Sequence, residues 1–333
     1  MKLIMFGGKG GVGKTTCASS ASLYFASQGE KTLVICTDPA HSLGDSLGQK
    51  LGGEIVKIES TPNLFALEVN ADKKLNDFKD EYGYEIKKLM DTATNLDKED
   101  IESMFQLPIP GMDELMGFKT IVDLIEEDRF DKYVVDTAPT GHALKLLGSP
   151  HLIDDWIKVM SKMRWKYRFM VKRFTGKYIP DKSDDFLMDL KKMIKRIEKL
   201  LQDETKCEFI PVTIPEAMPI VETERLIKDL EKFELNIKRI AVNNVLESED
   251  CQFCRDRKAQ QQVYLDQIKD KFGDMEIIQI PLQHKEVRGL DALNNIKGLI
   301  FASSQKSVPH DIDVATNQLA FKNGQVYSSV PQN

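Results

Sequence analysis

Residues 8–15 of this 333-residue chain read Gly-Lys-Gly-Gly-Val-Gly-Lys-Thr. The spacing is G-x-x-x-x-G-K-[ST]. An apolar run, Leu3-Ile4-Met5-Phe6, precedes it, and a helix-like stretch, TCASSASLYFASQG, follows. Strand, glycine-rich loop and helix in this order make a phosphate cradle. Backbone N–H groups must curl around anionic oxygens, and glycines permit that approach. The new helix points its positive end at the anion. In such a loop Lys14 reaches the β- and γ-phosphates, and the Thr15 hydroxyl ligates Mg²⁺. A continuous apolar run ahead of the loop reads as a parallel strand buried on both faces. The expected fold is therefore α/β, with a doubly wound, mostly parallel sheet.

Two later runs repeat the pattern with an acid at the end. Residues 32–36 (Thr-Leu-Val-Ile-Cys) lead into Thr37-Asp38-Pro39-Ala40-His41-Ser42. An acid there lies on the ligand side of a doubly wound sheet. Asp38 suits two roles, orienting a water for in-line attack on the γ-phosphate or capping a helix ahead of a proline. Residues 133–135 (Tyr-Val-Val) end in Asp136, followed by Thr-Ala-Pro-Thr-Gly-His. Asp136 suits a carboxylate that holds Mg²⁺ directly or through water, and a cap is the alternative. His142 reads as a loop-packing residue.

Lys9, second in the loop, is unusual. The K-G-G-x-G-K-T form resembles the deviant phosphate loop of the signature-lysine ATPases. In that class this lysine contacts nucleotide bound by the facing subunit, which implies a nucleotide-sandwich dimer. A solvated loop charge is the plainer reading. Together, GGKGGVGKTT, TDPAHSLGD and DTAPTGHALKLL resemble the arsenical-pump ATPase superfamily. Within it the chain is similar to the ATPases of guided entry of tail-anchored membrane proteins. Three segments carry the narrower likeness: Ile109-Pro110-Gly111-Met112-Asp113-Glu114, Cys251-Gln252-Phe253-Cys254 with the helical run after it, and Pro281 through Gly289. The resemblance spans roughly residues 1–300.

The resemblance implies an ATP-hydrolysing P-loop fold with an inserted helical subdomain. It implies nucleotide contacts from Gly8, Lys9, Gly10, Gly11, Val12, Gly13, Lys14, Thr15, Thr16 and Asp136. Asp38 matches the acid that activates the attacking water. Thr15 and Asp136 match the Mg²⁺ contacts, Asp136 through water. Asn243 matches an adenine-contacting asparagine, with Asn244 an open alternative, and Pro281 a proline packed on adenine. Zn²⁺ needs four tetrahedral ligands, and Cys251 and Cys254 supply two. Zinc, a redox pair and free thiols all remain open on spacing alone. Two copies of the pair across a two-fold axis would complete the site, and the resemblance implies that arrangement.

Composition excludes several classes. Lys plus Arg is 46 and Asp plus Glu is 52, a formal net charge of −6. That argues against a nucleic-acid partner recognised by overall charge. No run approaches the ~18 apolar residues of a membrane span, and the start MKLIMFGG is too short for a secretory leader. Five cysteines with one close pair are not a disulfide framework. A cytoplasmic protein, transiently at a membrane surface, is expected.

Two stretches interrupt the α/β alternation, and the expected division follows them. Residues 1–71, 119–150 and 206–302 form the nucleotide-binding domain. Residues 72–118 and 151–205 form a helical client-binding subdomain, and 303–333 a polar tail. In 151–205 apolar residues recur at helical spacing, from Ile153, Trp156 and Ile157 through Met170 and Phe174, then from Phe186 and Leu187 through Met193, Ile194, Ile197 and Leu200. Between 156 and 200 there are 14 Lys/Arg and 5 Asp/Glu, a local net of +9. Spacing alone fits a helical layer packed on itself. The resemblance implies instead a methionine-rich groove that shields a tail anchor. It further implies a homodimer, open to higher oligomers, with a transmembrane helix as cargo and a membrane receptor. The rival is the ATPase of an arsenite pump, which needs soft thiols near the helical subdomain. No cysteine lies between Cys36 and Cys207.

Overall fold

The computed structural model describes residues 1–38, 42–93, 97–106, 112–137, 162, 165, 169, 173 and 182–301. Several expected features lie outside these residues. They are Pro39 to His41, Ile109 to Gly111 of the Ile109–Glu114 segment, the loop holding His142, the apolar run from Ile153 to Phe174, and the tail.

Eight strands form one sheet in the order β3-β4-β2-β5-β1-β6-β7-β8. They are β1 Leu3–Gly7, β2 Thr32–Cys36, β3 Val56–Lys57, β4 Leu64–Glu68, β5 Lys132–Asp136, β6 Cys207–Thr213, β7 Arg239–Val245 and β8 Glu276–Pro281. Every ladder is parallel except the two-residue edge pairing of β3 with β4. All residues of β1, β2 and β6 are buried. Burial on both faces is why these strands read as unbroken apolar runs.

The side-chain period of two divides each strand between two layers. Leu3 and Met5 of β1, with Leu33, Ile35, Tyr133 and Val135, face one layer. That layer contains α5 (Met112–Glu126) and α6 (Lys182–Leu201), with α3 (Ala71–Ala93) beside them and α4 (Lys98–Gln106) on α3. Ile4 and Phe6, with Val134 and Ile210, face the other. There α1 (Lys14–Ser27) covers the centre, and α2 (Ser42–Leu47) and α9 (Gly289–Asn294) cover the β4 side. On the β7 side, α7 (Ala217–Lys232) and α8 (Gln252–Phe272) cover the opposite face, the one that α5 and α6 occupy, against Ile240 and Val242. The fold is the expected doubly wound sheet.

The apolar stripe of α6 has two fates. Met193, Ile194, Ile197 and Leu201 are buried in the sheet's core, while Met188 stays exposed. Ile197→Ala is expected to lower the unfolding free energy by about 2–5 kcal/mol. Met188→Ala should change it by less than about 0.5 kcal/mol. Urea titrations of the two variants measure the contrast.

Candidate functional site

Parallel strands deliver their C-terminal ends to one edge, and the motifs collect there. Gly8 (φ 155°) leaves β1 and runs under β6, where a Cβ would stand 2.2 Å from the Val212 carbonyl oxygen. Gly13 adopts φ 94° at the start of α1, and a Cβ there would stand 2.2 Å from Asn243 Nδ2. Gly10 and Gly11 face open space. The outer glycines thus fit the loop against the sheet, and the inner pair leaves its mouth clear for a ligand. Lys14 is buried and donates from Nζ to the Lys9 carbonyl at 3.3 Å, so its ammonium folds back over the loop.

Asp136 is 0% exposed. Its Oδ2 accepts from the Thr15 hydroxyl at 2.6 Å and from the Cys36 thiol at 3.7 Å. Its Oδ1 has no partner among the described residues. Burial pushes the carboxyl up to about 6, opposed by the Thr15 hydroxyl and the nearby Lys14 charge. The charge of Asp38 pushes it the same way as burial, so the two acids converge on one place. A buried acid with an unmet oxygen beside a threonine hydroxyl fits a hard divalent cation. Thr15 and Asp136 would hold Mg²⁺ there.

Asp38 is half-buried, just beyond β2. Thr37 N–H donates to the Asp136 carbonyl at 3.0 Å, and the Cys36 thiol to the Asp38 carbonyl at 3.8 Å. Ser42, at the start of α2, brings its hydroxyl to 3.1 Å from Thr15 Oγ1. Asn243 donates from Nδ2 to the Val12 carbonyl at 2.9 Å and so clasps the loop. Asn244 turns elsewhere: with φ 59° it offers its carbonyl to Gln261 on α8. Pro281 ends β8 on the same edge, and its carbonyl accepts from Gln283 Nε2 at 2.9 Å.

Lys9 pairs within its own chain, its Nζ standing 3.2 Å from Glu222 Oε1 on α7. Glu222, Ser42 and the Val212 carbonyl were not singled out by the sequence. Ser42 lies inside a quoted motif, but the hydroxyl contact has no local signal. Glu222 comes from a distant helix with none at all.

Cys251 caps α8, accepting from the Cys254 N–H at 3.3 Å, and the two sulfurs are 3.1 Å apart. Cys251 is exposed, and the Cys254 thiol and N–H hold it below the usual thiol range. No cluster of three or more His, Cys, Asp or Glu suited to a metal occurs among the described residues. A pair that must find its other two ligands on a second chain would show none. The remaining cysteines are buried, and burial pushes Cys17 and Cys207 up to about 12.

Comparison with known proteins identifies the family. Residues 1–302 match the family described as anion-transporting ATPases. The chain is 34% identical over 320 residues to ATPase ASNA1 homolog 2 of Paramecium tetraurelia, covering 93% of this chain and 95% of that one. It is 35% identical over 315 residues to the ATPase ASNA1 homolog of Dictyostelium discoideum, covering 93% and 92%. It is 33% identical over 301 residues to ATPase GET3 of Rhodotorula glutinis, covering 88% and 86%. The phosphate loop, the buried acid at the end of β5 and a match running from the first residue into the last described helical turn have one explanation: the chain belongs to the anion-transporting ATPase family and hydrolyses ATP.

Proposed function

We propose that this ATPase is a homodimeric targeting factor for tail-anchored membrane proteins. ATP bound between two copies closes the dimer. Closure aligns the helical stretches 72–118 and 151–205 into an apolar groove for one transmembrane helix of about 20 residues. Hydrolysis opens the groove and releases the cargo at a membrane receptor. The observation that carries this reading is an exposed aromatic pair outside the nucleotide chemistry. Trp165 is 70% and Phe169 55% exposed, four residues apart, with rings stacked at 5.9 Å. Met188 and Tyr84 add exposed apolar surface on α6 and α3. No helix among the described residues is long and apolar enough to cross a membrane.

Within the site each residue takes a physical role. The loop amides of Gly8 to Thr16 and the Lys14 ammonium hold the β- and γ-phosphates and take up charge on the leaving oxygen. Bound Mg²⁺ would neutralise phosphate charge beside Thr15 and Asp136. Asp38 accepts a hydrogen bond from the attacking water and sets it in line with the γ-phosphorus. Asn243 holds the loop and Pro281 borders the adenine side. Lys9 leaves Glu222 and reaches the nucleotide of the facing copy. Cys251 and Cys254, with their counterparts on a second copy, would hold one Zn²⁺. The arsenite-pump reading is weaker, because the buried thiols of Cys17, Cys36 and Cys207 are shut in the core.

Asp38→Asn should lower kcat for ATP by about 10²–10⁴-fold with nucleotide affinity retained. Co-expressed with a tagged apolar helix of about 20 residues, the variant should keep its cargo longer than wild type in ATP. Failure to recover any soluble complex, with normal ATP turnover, would sink the targeting reading. Lys9→Ala should abolish the nucleotide-dependent dimer. Glu222→Gln should tighten it by at most about fivefold, since a half-exposed ion pair contributes about 0–1 kcal/mol. Sedimentation with a non-hydrolysable ATP analogue measures both. Purified dimer should carry one zinc per two chains, and Cys251→Ser should lose it, as read by elemental analysis.

A further inference from the structure

Glu68 is a buried carboxylate that the chemistry above does not use. It ends β4, in register with Cys36 at the end of β2. Two consecutive residues there grip the two ends of one stretch. Val69 N–H donates to the Cys36 carbonyl at 2.9 Å, and Glu68 Oε1 accepts from the Gly44 N–H at 2.9 Å. Asp38 lies between Cys36 and Gly44 in the chain.

The chemistry of each end explains the residues. Gly44 falls in the first turn of α2, where a backbone N–H has no acceptor within the helix. A side chain on Gly44 would place a Cβ 2.9 Å from the Gln49 carbonyl oxygen. The neighbouring strand β4 supplies the acceptor through Glu68. Leu43 and Leu47 sink beside Val34, Cys36 and Ala66, and Ser42 touches Thr15. These contacts hold α2 against the sheet. The Glu68 bond adds direction, since it fixes one peptide plane of α2 relative to the strand end that launches Asp38.

We propose that Glu68 is a positioning residue for ATP hydrolysis. Its carboxylate fixes the far end of the Asp38 stretch and so sets where Asp38 stands against the γ-phosphate. This rests on the reading of Asp38 as the group that aligns the attacking water. Glu68 Oε1 bonds the α2 backbone, so its effect is expected on turnover rather than on ATP binding.

The test is steady-state ATP turnover of the full chain, with nucleotide affinity measured separately on each variant. Glu68→Met keeps the bulk and removes the acceptor. It should lower kcat by of the order of 10–100-fold with KM and ADP affinity within about twofold of wild type. Glu68→Gln keeps a carbonyl acceptor at the same reach and should recover most of that loss. On an Asp38→Asn background, Glu68→Met should add nothing further, because both act on one step. If Glu68→Met does not fold, Glu68→Asp carries the test: it withdraws the acceptor by one methylene and should show the same kcat fall with KM kept. An unchanged kcat in the folded variant overturns the proposal, as does a Gln variant as impaired as Met. If Asp38→Asn silences the enzyme and the Glu68 variants do not, Glu68 alone is misassigned. If Asp38→Asn turns over normally, the reading of Asp38 fails and the proposal falls with it.

Discussion

β1 is hydrogen-bonded on both sides, to β5 and to β6, by parallel ladders. Register in those ladders decides where the chemistry stands. Phe6 pairs with Asp136, and Cys36 pairs with Asp136 from the other side of β5. Val135 points into the layer of α5 and α6, and Val134 toward α1. Asp136, two residues on from Val134, therefore points toward α1, whose second residue is Thr15. The 2.6 Å bond between Thr15 and Asp136 follows from that register. A slip of one residue would turn the acid into the opposite layer. Thr137 locks the register by donating both its N–H and its hydroxyl to the Phe6 carbonyl.

Burying that acid has a cost which the site turns to use. An ionised carboxylate away from water is costly unless it is paired. Asp136 is only partly paired, and its raised pKa expresses the deficit. A divalent cation there would remove the deficit, so the chain is arranged to suit nucleotide that arrives with its metal. Lys9 is arranged differently. Its partner Glu222 sits on the surface, where an ion pair is weak. The strong contacts thus build the fixed half of the site, and the weak one belongs to the residue that must move if the dimer closes.

The fold was legible because its signals are local. The glycine spacing and the strand 32–36 needed only neighbours in sequence, and β2 has those bounds in the structure. β5 was also visible, ending in Asp136 as read, with Lys132 added at its start. The destination of an apolar stripe was not legible. Periodicity says that one face of α6 is buried, not against what, and Met193, Ile194 and Ile197 went to the sheet while Met188 did not. The partners of Lys9 and Gly44 were hidden for a related reason. Glu222 and Glu68 have no motif of their own, and their roles exist only once β1, β4, α2 and α7 are assembled.

α5 joins the sheet to the helical layer. Leu115, Met116, Ile121 and Val122 bury against the strands, and Tyr133 donates from its hydroxyl to the Leu124 carbonyl at 2.7 Å. That bond fastens α5 to β5, the strand that ends in Asp136. On its other flank, Arg196 of α6 reaches Asp123 at 2.8 Å and Glu126 at 2.9 Å. Dense packing carries a displacement, whereas a void absorbs it. A cavity of about 630 Å³ opens between α3, α5 and α6, lined in part by Phe78, Tyr82, Met116 and Met193. Tyr133 and Arg196 thus tie β5 to α5 and α5 to α6 directly, while α3 meets them across that cavity as well as through Phe78 and Tyr82. In the targeting reading, α3 is then where nucleotide and cargo meet energetically. Coupling of that kind is reciprocal: cargo that favours one placement of α3 must favour one nucleotide state by the same free energy.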